Sequence, residues 1–332
     1  NPQPPPCLAV HSARAESLTS SDFSFSTNRL LPCYRNRLRI LLFGRDGGVI
    51  LLLRYRSNCC VKMGECVAMD ITRLSDPLGA SITGVDLSQD ISGAEGAAIR
   101  QALLDNVVIV FPGQKLADED QERFCRNFGE LELVRTGTAV GGEHPHGMMI
   151  TNVKDTGQPT ALEEGEMMFH YDQCYYEHPC LGATLFAMEV PDEGGNTLFS
   201  NCALAYDALS DEWKHRLDGL KALNYYDYAG NPTMRPDGFK PDVAQWVHPV
   251  IRTHPETGRK AIYVNRLMTM RIEGLERDES DEILNYLFDH IEKPEFVYEH
   301  RWSVGELMMW DNRCTVHART YFSPEKRRMM RR

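Results

Sequence analysis

Phe169-His170-Tyr171-Asp172 is the stretch on which the reading of this chain turns. In an extended strand, residues i and i+2 project to one face, so His170 and Asp172 can grip a single ion together. Among eleven histidines, one H-x-D is by itself close to a chance event. His290-Ile291-Glu292 supplies the control, because it lies in a stretch with helical spacing, where i and i+2 do not face each other. The third ligand candidate is His317, in Trp310-Asp311-Asn312-Arg313-Cys314-Thr315-Val316-His317. Asp311-Asn312 is a turn signal between two strand-like runs, which puts His317 on a strand. Two histidines and one carboxylate on one face of an iron(II) ion leave its other positions open. Zinc hydrolases use the same three ligands, so at this point an oxygenase and a hydrolase both remain open.

Around that pair the chain is rich in short strands. Ser92-Gly93-Ala94-Glu95 reads as a capping box opening a helix that carries Ile99, Leu103 and Leu104. Val107–Phe111 is a β-branched strand stopped by Pro112-Gly113. A second helix is expected through Phe124 and Phe128, ending at Gly129. Residues 132–168 show no sustained apolar period and read as one long loop, a lid. Strands are expected at Gly182–Val190, Thr197–Ser200, Phe296–Trp302, Glu306–Trp310 and Thr315–Tyr321. Ser210 caps a helix with Trp213 and Leu217, and Ile283, Leu284, Leu287, Phe288 and Ile291 form the stripe of a core helix. This pattern predicts a β-rich α+β fold, a sandwich or barrel backed by helices.

Residues 1–62 differ from the rest. They open Asn1-Pro2-Gln3-Pro4-Pro5-Pro6 and carry nine Lys/Arg against three Asp/Glu, or +6, while the other 270 residues carry −17, for a net −11. They are expected to be a leader, disordered or outside the native protein, with one domain over 63–332. The apolar runs Leu38–Phe43 and Val49–Leu53 fall well short of the ~20 residues that span a bilayer, so no membrane partner is expected. Nor is there the order of a secretory signal. An acidic body argues against nucleic acid, which needs a basic surface. Ten cysteines without a C-x-x-C or zinc-ligand spacing read as reduced thiols in a cytoplasmic protein.

Arg327, Arg328, Arg331 and Arg332 follow His317. Alone they read as a solvated basic run. A dicarboxylate that chelates iron at one end needs a cation for the other, and arginine's planar fork suits that task. Further marks occur in order: Ile82-Thr83-Gly84-Val85-Asp86-Leu87, Phe111-Pro112-Gly113-Gln114, Phe128-Gly129-Glu130-Leu131, and His170/Asp172 followed by Gly194-Gly195-Asn196-Thr197. His248-Pro249, Thr253-His254-Pro255, Gly258-Arg259, Tyr263-Val264-Asn265 and Trp310-Asp311-Asn312 with His317 and Arg328 complete the set. With these, the chain from about Ile71 to Arg332 resembles the taurine dioxygenase and 2,4-dichlorophenoxyacetate dioxygenase family of iron(II)- and 2-oxoglutarate-dependent enzymes.

The resemblance implies a double-stranded β-helix (jelly-roll) core with flanking helices. It implies that His170, Asp172 and His317 hold Fe(II), that Thr197 and Arg328 hold the far carboxylate of 2-oxoglutarate, and that Arg332 pairs with an anionic substrate. The expected reaction consumes O2, hydroxylates a small anionic organic compound (a sulfonate, sulfate ester or carboxylate) and releases succinate and CO2. A homo-oligomer is expected. Val134 and Glu166 stand where taurine dioxygenase has a substrate-contacting histidine and asparagine, which turns the reading away from taurine. The chain stops at Arg332, inside what reads as the family's last strand, so the natural protein is expected to continue. His144 and His146 read as solvated lid residues, and His248 and His254 as structural. Phe169, Trp310 and the pairs Met167-Met168 and Met308-Met309 read as core or pocket wall, and Tyr175 and Tyr176 as pocket lining or packing. A zinc hydrolase with the same triad and a non-catalytic jelly-roll binding protein are the rival readings.

Overall fold

The computed structural model describes residues 41–43, 49–52, 69–133, 139–140, 144–153, 167–226 and 242–332. Two units divide the chain, Asn1–Met63 and Gly64–Arg332. In the first, β1 (Leu41–Phe43) pairs antiparallel with β2 (Val49–Leu52). The rest of the expected leader lies outside the described residues, as do Val134 and Glu166.

The second unit begins with β3 (Asp70–Arg73), β4 (Ala80–Thr83), α1 (Gly93–Asn106), β5 (Val108–Phe111) and α2 (Asp118–Cys125). Next come β6 (Ala139–Val140), β7 (His144–Thr151), β8 (Met167–His170), β9 (Gly182–Glu189) and β10 (Thr197–Asn201). Two short helices, α3 (Cys202–Asp207) and α4 (Asp211–Arg216), lead to β11 (Lys221–Tyr225) and β12 (Gln245–Pro249). After β13 (Ile251–Thr253), β14 (Lys260–Ile262) and β15 (Thr269–Ile272) comes α5 (Arg277–Ile291). The last strands are β16 (Val297–His300), β17 (Leu307–Asp311), β18 (Thr315–Arg319) and β19 (Met329–Arg331).

The larger of the two main sheets has the order β3-β4-β5-β17-β9-β19-β7-β6, and the smaller has the order β16-β10-β18-β8. Strands β8 to β10 and β16 to β19 alternate between these sheets as the chain advances. Strand periodicity then divides the core. Along β17, Met308 and Trp310 join one apolar cluster while Leu307 and Met309 join another. Along β5, Val108 and Val110 part from Ile109 and Phe111 in the same way. The second cluster packs under α1 and α2 through Ile99, Leu103 and Phe124. The first takes the apolar stripe of α5, with Ile283, Leu284, Leu287, Phe288 and Ile291 all buried.

The Ser92 box closes as expected: Ser92 Oγ accepts from Glu95 N at 3.2 Å, and Glu95 Oε2 accepts from Ser92 N at 2.8 Å. Two expectations are corrected. Helix α2 stops at Cys125 rather than running to Gly129, because the Asn127 side-chain amide donates to the carbonyls of Arg123 and Phe124 and ends the helix early. The expected loop 132–168 contains β7, whose last residues pair with β19 (Thr151 with Met329, Ile150 with Met330, Met149 with Arg331). Its sequence, His-Pro-His-Gly-Met-Met-Ile-Thr, has no apolar alternation, so a distant partner strand rather than local pattern makes it a strand.

Candidate metal centre and active site

Strands β8 and β18 pair antiparallel with His170 directly opposite His317, so one face of the smaller sheet carries both imidazoles. Their ring centroids lie 4.2 Å apart. Asp172 follows the end of β8, and its two carboxylate oxygens face the histidines: Oδ1 is 3.8 Å from His170 Nε2, and Oδ2 is 3.7 Å from His317 Nε2. All three residues are buried, with ligand atoms within 4.8 Å of one another. His170 Nδ1 donates to the carbonyl of Met168 at 2.9 Å, since a carbonyl can only accept. That bond leaves Nε2 as the lone-pair nitrogen turned toward Asp172.

Burial lowers the pKa of His170, and burial followed by the neighbouring His170 lowers that of His317 further. Both imidazoles are therefore neutral at pH 7. Burial pushes the Asp172 carboxyl up, but the adjacent Arg332 guanidinium overrides it, so the group lies below the usual carboxylate range. Two neutral nitrogens and one carboxylate, converging and buried, are the protonation states that a divalent transition metal requires. The triad fits iron(II).

The triad lines a cavity of about 630 Å³ together with Thr197, Arg328 and Arg332. Thr197 lies opposite Arg319 in the β10–β18 ladder, and its hydroxyl accepts from Trp302 Nε1 at 2.9 Å. Arg328 is buried, and its Nε donates to the Gly195 carbonyl at 3.2 Å. Gly195 has a φ of +66°, and a Cβ there would sit 2.9 Å from Pro191 Cγ and 3.2 Å from Arg328 Cδ. Gly195 thus lets the arginine stem pass. Burial, then repulsion from Arg319, brings the pKa of Arg328 down to about 9, so this guanidinium favours an incoming anion. Arg332 reaches the other side of the triad, where it pairs with Asp172 Oδ2 and lies 5.7 Å from the Trp310 ring centre. Arg332 also exchanges backbone hydrogen bonds with Met148, which hold it in place.

The other two arginines of the C-terminal run are held by protein partners. Arg327 pairs with Glu189 at the surface. Arg331 also borders the cavity, but it is buried and its guanidinium is bonded to Gln121, Asp118 and the carbonyls of Leu116 and Ala117. Arg319 was not anticipated from sequence, yet it lines the cavity two residues after His317. That same-face spacing was the available signal.

Several residues take the quieter roles expected of them. His290 lies on α5 and bonds the Ala205 carbonyl, while Glu292 pairs with Arg266. His248 donates to the Tyr176 carbonyl at 2.8 Å. His146 lines the cavity rather than standing in solvent, with Nδ1 3.0 Å from the Glu132 carbonyl. The side chain of His144 lies outside the described residues. Tyr175, Tyr176 and Tyr226 line the cavity, and the Tyr175 ring lies against both others, with centroids 4.7 and 4.5 Å away.

A second convergence of donors, His254, Asp311 and Cys314, is also buried. Here His254 Nδ1 accepts from the backbone N–H groups of Glu256 and Thr257, so Nε2 carries the proton and donates to Asp311 Oδ2 at 2.9 Å. Arg313 takes up both oxygens of Asp311. Every lone pair of this histidine is spent, and the cluster is an ion-pair network rather than a metal site.

Comparison with known proteins agrees with this geometry. Residues 70–332 match the family described as "Taurine catabolism dioxygenase TauD, TfdA family". The chain is 35% identical over 285 residues to pentalenolactone F synthase of Streptomyces avermitilis, covering 80% of this chain and 93% of that protein. It is 34% identical over 272 residues to the (S)-phenoxypropionate/alpha-ketoglutarate-dioxygenase of Sphingobium herbicidovorans, covering 79% of this chain and 93% of that one. The crystal structure of AAD-2 in complex with Mn(II) and N-oxalylglycine superposes with a TM-score of 0.68 at 27% identity, over 80% of this chain and 95% of that one. The chain belongs to the TauD/TfdA family of iron(II)- and 2-oxoglutarate-dependent dioxygenases.

Proposed function

We propose that the cavity hydroxylates a small anionic organic molecule, a carboxylate before a sulfonate or sulfate ester, while 2-oxoglutarate is converted to succinate and CO2. The observation that carries this reading is the arrangement of donors in one cavity: a buried His-Asp-His set with Arg328 and Thr197, and Arg332 against the triad. In this reading His170, Asp172 and His317 hold the iron, which when bound supplies the activation of O2 and the oxidation of a C–H bond. Arg328 receives the far carboxylate of 2-oxoglutarate through charge-assisted hydrogen bonds, and the Thr197 hydroxyl, already accepting from Trp302, donates to the same group. Arg332 orients the substrate's anionic end close to the metal. Tyr175, Tyr176 and Tyr226 give the cavity an aromatic wall, which suits a ring-bearing acid such as the one in the phenoxypropionate relative's name. Aryloxy acids, sulfonates and alkyl sulfates, tested one by one with iron-loaded protein, provide the test through succinate release. An aryloxy acid should stimulate it most, and a best response to taurine would overturn the substrate assignment.

The zinc-hydrolase reading gives the buried Arg328 no task. Zinc retention with hydrolysis, and no succinate formed from 2-oxoglutarate, would revive it. A non-catalytic binding protein would show no decarboxylation with Fe(II) under any substrate.

The alternation of successive strands between the two main sheets supports a double-stranded β-helix. We carry the leader over 1–62, with the domain over 63–332, as a proposal that truncation at Met63 would test through retained activity. Among the described residues no helix is long and apolar enough to cross a membrane, and the five described cysteines are free thiols, which supports a cytoplasmic protein. Ile71 and Leu74, exposed on and beside edge strand β3, support a homo-oligomer, and light scattering of the purified protein would test it.

A further inference from the structure

We propose that Asn312 is a positioning residue for the metal carboxylate: its side-chain amide fixes the backbone of Asp172 and so aims the carboxylate at the ion. Strand β8 ends at His170, so Asp172 has left the ladder that holds its histidine neighbour. The chain then turns through Gln173, which has a φ of +57°. A buried peptide group beyond the end of a strand still needs both its donor and its acceptor satisfied. Asn312 does both, for Oδ1 accepts from Asp172 N at 2.9 Å and Nδ2 donates to Asp172 O at 2.9 Å. A third bond, from Nδ2 to the Cys180 carbonyl at 3.1 Å, orients the amide. Asn312 is itself fully buried, and its backbone N–H donates to Leu181 O at 3.0 Å.

A primary amide is the uncharged side chain that offers a donor and an acceptor side by side, as a neighbouring strand's backbone would. Asn312 thus extends the sheet by one residue where the strand has stopped. It lies in the turn from β17 to β18, five residues before His317. The connection that crosses from one main sheet to the other therefore leads into the strand of one candidate metal histidine and also holds the candidate metal aspartate, across 140 residues of sequence. Pinning both peptide groups of Asp172 restricts its φ and ψ, and with them the direction of its side chain.

This inference rests on the metal assignment made above, and the test separates the two. Mn(II) binding is measured by calorimetry without 2-oxoglutarate, together with the shift in thermal midpoint that Mn(II) produces, for wild type, Asp172→Ala, Asn312→Ala and the near-isosteric Asn312→Asp. Removing partners that orient metal ligands costs about 10–100-fold in metal affinity. Asn312→Ala and Asn312→Asp should weaken Mn(II) binding by that factor and shrink the Mn(II)-induced shift. A merely structural asparagine would lower the metal-free midpoint and leave that shift intact. If Asn312→Ala does not fold, Asn312→Asp decides. Wild-type Mn(II) affinity in a folded Asn312 variant, with Asp172→Ala unable to bind, overturns the positioning role alone. A wild type that binds no Mn(II) overturns the metal reading instead.

Discussion

The body of this protein holds two buried groups that each bring a histidine against an aspartate, and their hydrogen bonding differs. His170, Asp172 and His317 meet with their Nε2 atoms and carboxylate turned on one another. His254 and Asp311, with Cys314 beside them, meet equally closely, but His254 donates with one nitrogen and accepts twice with the other. The lesson is that lone-pair accounting, not residue composition, separates a candidate metal site from an ion-pair network. A histidine that bonds a carbonyl through Nδ1 keeps Nε2 for a metal, whereas one that caps two backbone N–H groups keeps nothing.

The largest effect should come from breaking the first group. Asp172→Ala removes the anion between two neutral imidazoles, so Mn(II) binding and succinate formation should both fall below detection while the fold persists. Residual succinate at a rate near wild type would mean that another carboxylate holds the metal. The same substitution removes an ion-pair partner of Arg332, so metal analysis rather than activity alone is the deciding measurement.

Breaking the second group should destabilise without touching the metal. His254→Gln leaves Asp311 with Arg313 but loses a buried charge-assisted bond and strands two backbone N–H groups, at a cost on the order of 3 kcal/mol. Denaturant unfolding checks the loss, and metal content should stay at one per chain. The pH dependence has a definite sign. Burial raises the Asp311 pKa, but Arg313 and His254 outweigh it and bring it below the ordinary 3.8. The stabilisation is therefore complete above about pH 3.8 and is lost as pH falls through the lower folded value. The gap between wild type and His254→Gln should narrow in that acid range by the Asp311 share, while the part due to the two backbone N–H groups persists.

Much of this contrast was legible in the chain. The helix-bound His290/Glu292 pair could be set aside on spacing, and the turn at Asp311-Asn312 placed His317 on its strand. What stayed hidden depends on partners far away in sequence. Strand β7 exists because β19 pairs with it, and its own residues have no period to reveal it. Arg331 and Arg332 are adjacent and alike, yet strand parity sends one to Gln121 and the other to Asp172. The amide of Asn312 looks like a turn residue until Asp172 is brought beside it.

Arg328→Ala is the next smaller effect, and it tests whether this buried arginine works with the first group. Its pKa near 9 reflects burial and the push from Arg319, both of which a bound carboxylate would relieve. Losing charge-assisted bonds worth about 1.5–3 kcal/mol should raise the 2-oxoglutarate KM by about 10- to 100-fold. Mn(II) affinity measured without cosubstrate should not change. An unaltered KM would move the far carboxylate to another group, and Arg319 would be the first to examine.

The smallest effect should come from Cys314→Ala, and it bears most directly on whether the second group holds a metal. Burial, then the Asp311 charge, pushes the Cys314 thiol far above its ordinary value, so it stays protonated at any physiological pH. A protonated thiol is a poor ligand, because metal coordination calls for the thiolate. The bond from Cys202 N goes to the Cys314 backbone carbonyl and survives the substitution. What is lost is one buried sulfur from the core, about 1 kcal/mol, which a small drop in thermal midpoint would report. Metal per chain should be unchanged. A protein that loses one equivalent of zinc or iron on this substitution would show that His254 and Asp311 give up their ion pairs to a cation, and the distinction between the two groups would fall.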